Sequence, residues 1–199
     1  MNGWTDEKII ELIASKLEAR RFEHSLNVAE SARYLAEKYG YDAGKAYTAG
    51  LLHDVMKNAS PDEQLRVTAQ AGITLSSAEA ANPKLWHAIA GAAYLKTEMG
   101  IDDEELYLAV RYHTTGRANM SLIEKIVYLA DYISAERSYN GVEDMRRLCD
   151  ESMEAAILYA LEFGIPDLVK KGSVVHPDSV SLYNEVIINK QGGNKNDVT

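Results

Sequence analysis

The sequence predicts an all-α protein, and three observations carry that prediction. Apolar residues recur at helical spacing along most of the chain, strand-like alternation never persists, and capping or stop residues fall at the ends of the periodic stretches. The first helix reads from Trp4 to Leu17. From Val28 the apolar positions Ala32, Leu35, Ala36 and Tyr39 follow at i+4, i+7, i+8 and i+11, with His24 one turn before them and Gly40 as the stop. Asp42 to about Met56 reads as a third helix around the apolar block Ala49-Gly-Leu-Leu52. Ser60 caps a fourth, with Pro61 at its first position and Glu63 three residues after the cap.

Asn82-Pro83 opens a helix that runs through Trp86 and Leu95 to Gly100. Asp102 to Glu105 places acid where the next helix dipole favours it. Ser121-Leu-Ile-Glu124 is a second capping box, leading into Ile126, Leu129 and Ile133. Two or three helices fill Gly141 to Lys171, and Asp178 to Ile188 is the last. With no internal repeat and no long linker, the expectation is a single helical domain over residues 1–190. The polar, Gly/Asn-rich residues 191–199 read as a flexible tail.

Hydrophobic residues make up 46% of the 199 and charged residues 26%, so one domain with a real core can form. No apolar run approaches the roughly 20 residues that cross a bilayer. The N-terminal residues do not resemble a signal peptide. The single cysteine, Cys149, allows no internal disulfide and fits a reducing, cytoplasmic setting. The net charge of −9 argues against a nucleic-acid-binding face. A small anionic substrate remains compatible with it, provided that metal ions or a few Lys and Arg supply local positive charge.

The chemistry is read from where ionisable groups sit. His24 is in register with the apolar stripe of its helix. His53 and Asp54 interrupt Ala49-Gly-Leu-Leu-His-Asp-Val-Met56, a segment otherwise suited to burial. His87 shares a face with Gly91 and Tyr94, and small residues there let another helix approach. His113 continues the stripe of Leu106, Ala109 and Val110, while Asp131 lies inside Ile126-Val-Tyr-Leu-Ala-Asp-Tyr-Ile133. A lone core-facing histidine is more often structural than a ligand, Asp54 could cap the following segment, and Asp131 could pair with Arg137. Taken together the six positions are harder to read that way, because buried carboxylates need partners. Imidazole nitrogen with carboxylate oxygen suits Fe, Mn, Zn or Co, and the absence of cysteine ligands argues against a closed structural zinc site. His176, before Pro177, reads as structural, and Cys149 as a small buried hydrophobe. The phosphate-binding GxxxxGK[ST], the GxGxxG, the HExxH and the GxSxG patterns are all absent.

The order His, His-Asp, His, His, Asp resembles the HD superfamily of metal-dependent phosphohydrolases, a family of helical bundles. Glu23-His-Ser-Leu-Asn-Val-Ala-Glu30, Ala49-Gly-Leu-Leu-His-Asp-Val-Met-Lys57, His113-Thr-Thr-Gly-Arg117 and Ala130-Asp-Tyr-Ile-Ser-Ala-Glu-Arg137 look like the YqeK-type bacterial members. The likeness runs from about Arg20 to the last helix. It implies His24, His53, Asp54 and Asp131 as the basic metal ligands. His87 and His113 are then the extra histidines that admit a second ion, with Asp54 bridging and iron the favoured metal. It also implies a symmetrical bis(5′-nucleosyl)-tetraphosphatase that splits diadenosine tetraphosphate into two ADP, and a homodimer. The partner so implied is a small nucleotide, with neither nucleic acid nor membrane.

Substrate contacts are read around that set. Lys57, about a turn past the His-Asp pair, either reaches a metal-bound phosphate or is a solvated helix-end lysine. Thr114, Thr115 and Arg117 lie in a Gly-containing loop suited to phosphate contacts. Arg137 either binds substrate or pairs with Glu136 or Asp144. Asp54, Lys57 and Arg137 are the expected catalytic groups. Two alternatives stand beside this reading. One is an HD phosphohydrolase of another nucleotide, such as a nucleoside triphosphate or guanosine alarmone; the other is a metal-containing regulatory module without turnover.

Overall fold

The computed structural model describes residues 3–193, which form eleven α-helices and one 3-10 turn; no strand occurs among the described residues. The helices are α1 (Asp6–Lys16), α2 (Ala19–Tyr39), α3 (Ala43–Leu52), α4 (Pro61–Gln70), α5 (Ser77–Ala80), α6 (Trp86–Thr97), α7 (Glu104–Tyr112), α8 (Leu122–Ile133), α9 (Val142–Glu151), α10 (Met153–Lys170) and α11 (Pro177–Gly193). The 3-10 turn Pro83–Leu85 leads into α6. The all-α expectation is met. Among the described residues no helix is long and apolar enough to cross a membrane. Helix α11 continues through Gly193, and residues 194–199 of the expected tail lie outside the described residues.

Local chemistry fixes most boundaries. The side chains of Thr5, Asp42, Ser60 and Asp103 each accept a backbone N–H at the start of their helix. Gly40 ends α2 in the left-handed region, at φ 73°. At Ser121 the return half of the capping box is made, with Ser121 N–H donating to Glu124 Oε2 at 2.8 Å. Helix α5 is not anticipated by periodicity, since four residues are too few to show it; its Ser76–Glu79 capping box is complete.

The main departure is at the expected third helix, which stops at Leu52 rather than Met56. The chain continues in tight turns whose N–H groups bond three residues back, Val55 to Leu52, Lys57 to Asp54 and Ala59 to Met56. Through this stretch His53, Asp54, Val55 and Met56 are all buried.

Two apolar clusters form the core. One joins α1, α3, α6 and α7 through residues such as Ile9, Leu51, Leu95 and Leu106. The other joins α2, α8, α9, α10 and α11 through Leu35, Leu129, Ile157 and Leu182. Helices α2 and α8 supply residues to both, and α2, α3 and α8 pack on one another. The α2–α3 crossing is very close: a Cβ on Gly50 would lie 2.6 Å from Ala29 Cα and 2.9 Å from Ala29 N. Because those neighbours are backbone, the clash is relieved only by moving a helix. Gly50→Ala should therefore cost about 1–3 kcal/mol or more, read as a fall in unfolding midpoint; an unchanged midpoint would refute the tight crossing.

Cys149 is fully buried in the second cluster, and burial, helped by Asp150, pushes its thiol up to about 12. At pH 8 a thiol reagent should leave the folded protein unlabelled and modify it fully once it is unfolded. Stoichiometric labelling of folded protein would contradict this packing.

Candidate metal centre

Five elements deliver the six residues singled out in the sequence. His24 comes from α2, His53 and Asp54 from the turn after α3, His87 from the first turn of α6, His113 from the end of α7, and Asp131 from α8. The four histidines and Asp54 are each no more than 4% exposed, and Asp131 is half-buried. Their imidazoles form an edge-to-face chain, with ring centroids 5.2 Å apart for His24–His53, 5.0 Å for His53–His113 and 5.2 Å for His87–His113. The structure brings all six together.

Two sub-clusters share His53. In one, ligand atoms of His24, His53 and Asp131 lie within 4.8 Å of one another; in the other, so do those of His53, Asp54 and His113. His87 adjoins the second, its Nε2 standing 3.1 Å from Asp54 Oδ1 and 3.2 Å from His113 Nε2.

The orientation of the rings is set from outside. His53 Nδ1 donates to Gly50 O at 2.6 Å and His113 Nδ1 donates to Val110 O at 2.8 Å. With that proton on Nδ1, each Nε2 carries a free lone pair facing inward. His24 Nδ1 is held by the Glu136 carboxylate, which also accepts from Asn27 Nδ2 at 2.8 Å. Several inward atoms lack a hydrogen-bond partner although buried: His24 Nε2, His53 Nε2 and Asp54 Oδ1. His24 Nε2 is 3.0 Å from Asp131 Oδ1 but off the axis of a hydrogen bond. Orphaned imidazole nitrogens and carboxylate oxygens converging in a buried space are the donor set that a transition metal satisfies. The residues fit such an ion.

The electrostatics agree with that fit. Burial pushes the His53 imidazole down to about 4 against the pull of Asp54, so the ring is neutral near pH 7. Burial also lowers His87 and outweighs Asp54. For Asp54 burial works upward, but His53, His113 and His87 hold the carboxyl well below its usual range. Asp131 is likewise lowered, by His24, His53 and Arg137 against burial. His24 is raised, because Asp131 and Glu136 outweigh its burial. Lowered His53 and His87 beside ionised carboxylates are in the protonation states that bind metal, whereas an ion bound at His24 would displace the proton that Asp131 and Glu136 favour there.

Around the cluster lie the residues expected to contact substrate. Lys57 Nζ sits 3.1 Å from His87 Nε2 and 3.7 Å from Asp54 Oδ1, so this lysine lies against the cluster and is not a solvated helix end. Burial lowers its ammonium, against Asp54. Arg137 pairs with Asp131, through Nη2 to the carboxylate and Nε to the Asp131 carbonyl at 2.8 Å. Arg117, expected at a phosphate, lies against Glu124 in this structure. Its Nε and Nη2 donate to Glu124 at 2.6 and 2.9 Å, and Glu124 is almost fully buried, so these two nitrogens form a bidentate ion pair. The Thr114 and Thr115 hydroxyls are buried without a partner. His176 lies away from the six, its Nδ1 accepting from Asp178 N and its Nε2 3.9 Å from Glu79.

Two neighbours were missed in the sequence. Arg21 Nη1 is 3.3 Å from Asp54 Oδ2, and its spacing one turn before His24 was the available signal. Glu136 gave none, because its partner His24 is 112 positions away. Both line a cavity of about 330 Å³ with Arg20, His24, Arg137, Ser138 and Tyr139. A larger cavity, about 540 Å³ between α9, α10 and α11, touches none of the six, so size does not mark the site.

Residues 21–136 match the HD domain, and the chain belongs to the HD domain family, whose members are metal-dependent. All six residues fall inside that span. Over 92% of its length the chain is 36% identical to a symmetrical bis(5′-nucleosyl)-tetraphosphatase of Halalkalibacterium halodurans, 98% of which is covered. It is 34% identical over 91% of its length to the Bacillus subtilis protein of the same description, 97% of which is covered. The crystal structure of an HD superfamily hydrolase from Clostridium acetobutylicum, described as involved in NAD metabolism, superposes with a TM-score of 0.90 at 36% identity. That superposition covers 94% of this chain and 98% of the other.

If Glu136 orients His24 from behind, Glu136→Ala should weaken metal binding about 10–100-fold in a chelator competition while the helical spectrum stays unchanged. Asp54→Ala should abolish most of it. Metal affinity unaffected by either change would show that the cluster is not a metal site.

Proposed function

We propose that this chain is a symmetrical bis(5′-nucleosyl)-tetraphosphatase that hydrolyses diadenosine tetraphosphate to two ADP. In this reading His24, His53, Asp54, His87, His113 and Asp131 hold one or two transition-metal ions, with iron favoured. The observation that carries it is the buried set of unpartnered Nε2 and carboxylate atoms beside an arginine-lined cavity. Relatives of that description, matched over nearly their whole length, support the substrate.

Bound cations would supply an acidified water as nucleophile and polarise phosphoryl oxygens. The protein's own groups do the rest. Gly50 O, Val110 O and Glu136 fix the outer nitrogens of three imidazoles, which holds the ligand geometry through turnover. Arg20, Arg21 and Arg137 line the cavity and balance a polyphosphate against a chain of net charge −9. Lys57, with its ammonium against the cluster, stabilises charge that grows on phosphoryl oxygen during attack.

The bond that breaks tests the assignment. With an inner phosphate seated at the cluster, ADP is the only nucleotide product, and oxygen-18 water puts one labelled oxygen on one of the two ADP molecules. AMP plus ATP would mean that the phosphate beside a ribose is seated instead. No cleavage, together with rapid hydrolysis of a nucleoside triphosphate or a guanosine alarmone, would shift the assignment to another nucleotide. Lys57→Ala should lower kcat about 100-fold with metal content intact; normal turnover would remove Lys57 from the mechanism.

A further inference from the structure

A second, smaller cavity adjoins the arginine-lined one and shares Arg137 and Tyr139 with it. It measures about 220 Å³, and its remaining walls are Asp131, Tyr132 and Phe163. Three of its five lining residues are aromatic. Phe163, on α10, is 55% exposed, whereas the chain's other phenylalanine, Phe22, packs against the core. The Phe163 ring lies with its centroid 6.1 Å from that of Tyr139, the planes inclined at 34°. Tyr139 is held in turn, its hydroxyl donating to Tyr132 O at 3.2 Å. A lone exposed phenylalanine needs no explanation. This one lines a cavity together with Asp131, a residue of the metal cluster, and Arg137, which also lines the arginine-rich cavity.

We infer that this aromatic cavity is a nucleobase subsite, in which a purine stacks on Phe163 while the attached phosphates run past Arg137 toward the cluster. The inference rests on the nucleotide reading above. The side chains point to recognition of the flat face of the base and not of its edge. The two charged groups in the cavity, Asp131 and Arg137, are already paired with each other. Adenine and guanine are therefore accepted alike, because every base offers a π-face.

The test uses metal-loaded protein and compares ADP with inorganic pyrophosphate as ligands, with diadenosine and diguanosine tetraphosphate as substrates. Phe163→Ala should weaken ADP binding about 10-fold or more, leave pyrophosphate binding unchanged, and raise KM for both substrates with little effect on kcat. Phe163→Trp should restore ADP binding. Unchanged ADP affinity in Phe163→Ala would place the base elsewhere. Equal losses for ADP and pyrophosphate would make Phe163 a structural residue and overturn the subsite. If wild-type protein binds neither ligand, the nucleotide reading itself fails and the subsite falls with it. If it binds both with equal affinity, phosphate recognition stands and the base subsite alone is lost.

Discussion

Asp54 is the constraint around which the rest is arranged. A carboxylate with 2% of its surface exposed is costly unless opposite charge or hydrogen bonds surround it. Here three imidazoles, Arg21 and Lys57 approach it from α2, α6, α7 and its own turn. Groups on so many helices meet only where the helices come close, and small residues permit that. Gly50 lies against the α2 backbone at Ala29, and a Cβ on Gly91 would lie 3.1 Å from Val110 of α7. The same Gly50 offers the carbonyl that fixes the His53 ring. Helix packing and ligand orientation thus depend on one position.

The surrounding loops are held with similar economy. The segment after α8 carries Glu136, Arg137 and Tyr139, and a single arginine of α9 ties it down. Arg146 donates to the carbonyls of Ile133, Ser134 and Arg137 at 3.3, 3.1 and 3.2 Å. The segment after His113 is clamped by α11, which lies beyond the span that matches the HD domain. Ser179 Oγ donates to Thr115 O at 2.8 Å, and Asn119 N donates to Glu185 at 2.7 Å. A Cβ on Gly116 would meet Leu182 at 2.4 Å. The C-terminal helix therefore supports the placement of His113, and Arg117 serves that scaffold through Glu124.

Charge is distributed against the global balance. The chain is acidic overall, yet Arg20, Arg21 and Arg137 line the cavity beside His24 while Lys57 lies against the cluster. A concave, partly desolvated surface concentrates such a field far more than an exposed patch of equal charge. Local composition at a cavity, rather than net charge, decides which anion is held.

The sequence by itself determined the helical fold and the six clustered residues. Helical spacing and cap chemistry are local, so Ser60, Asp103 and Gly40 act as their residue types require. Ionisable groups inside apolar stripes were visible for the same reason: a stripe marks its inward face, and a charge on that face needs a partner. Only the tertiary structure decided what lies around those groups. Glu136 reaches His24 across 112 positions, Arg117 lies against Glu124, and Phe163 meets Tyr139 through the packing of α10 on the loop after α8. The early end of α3 also escaped the pattern, since tight turns and a regular helix share the same apolar run. Periodicity reports which way a residue faces along its own helix; which residue of a distant helix it then meets depends on how the helices cross, and no local pattern encodes that.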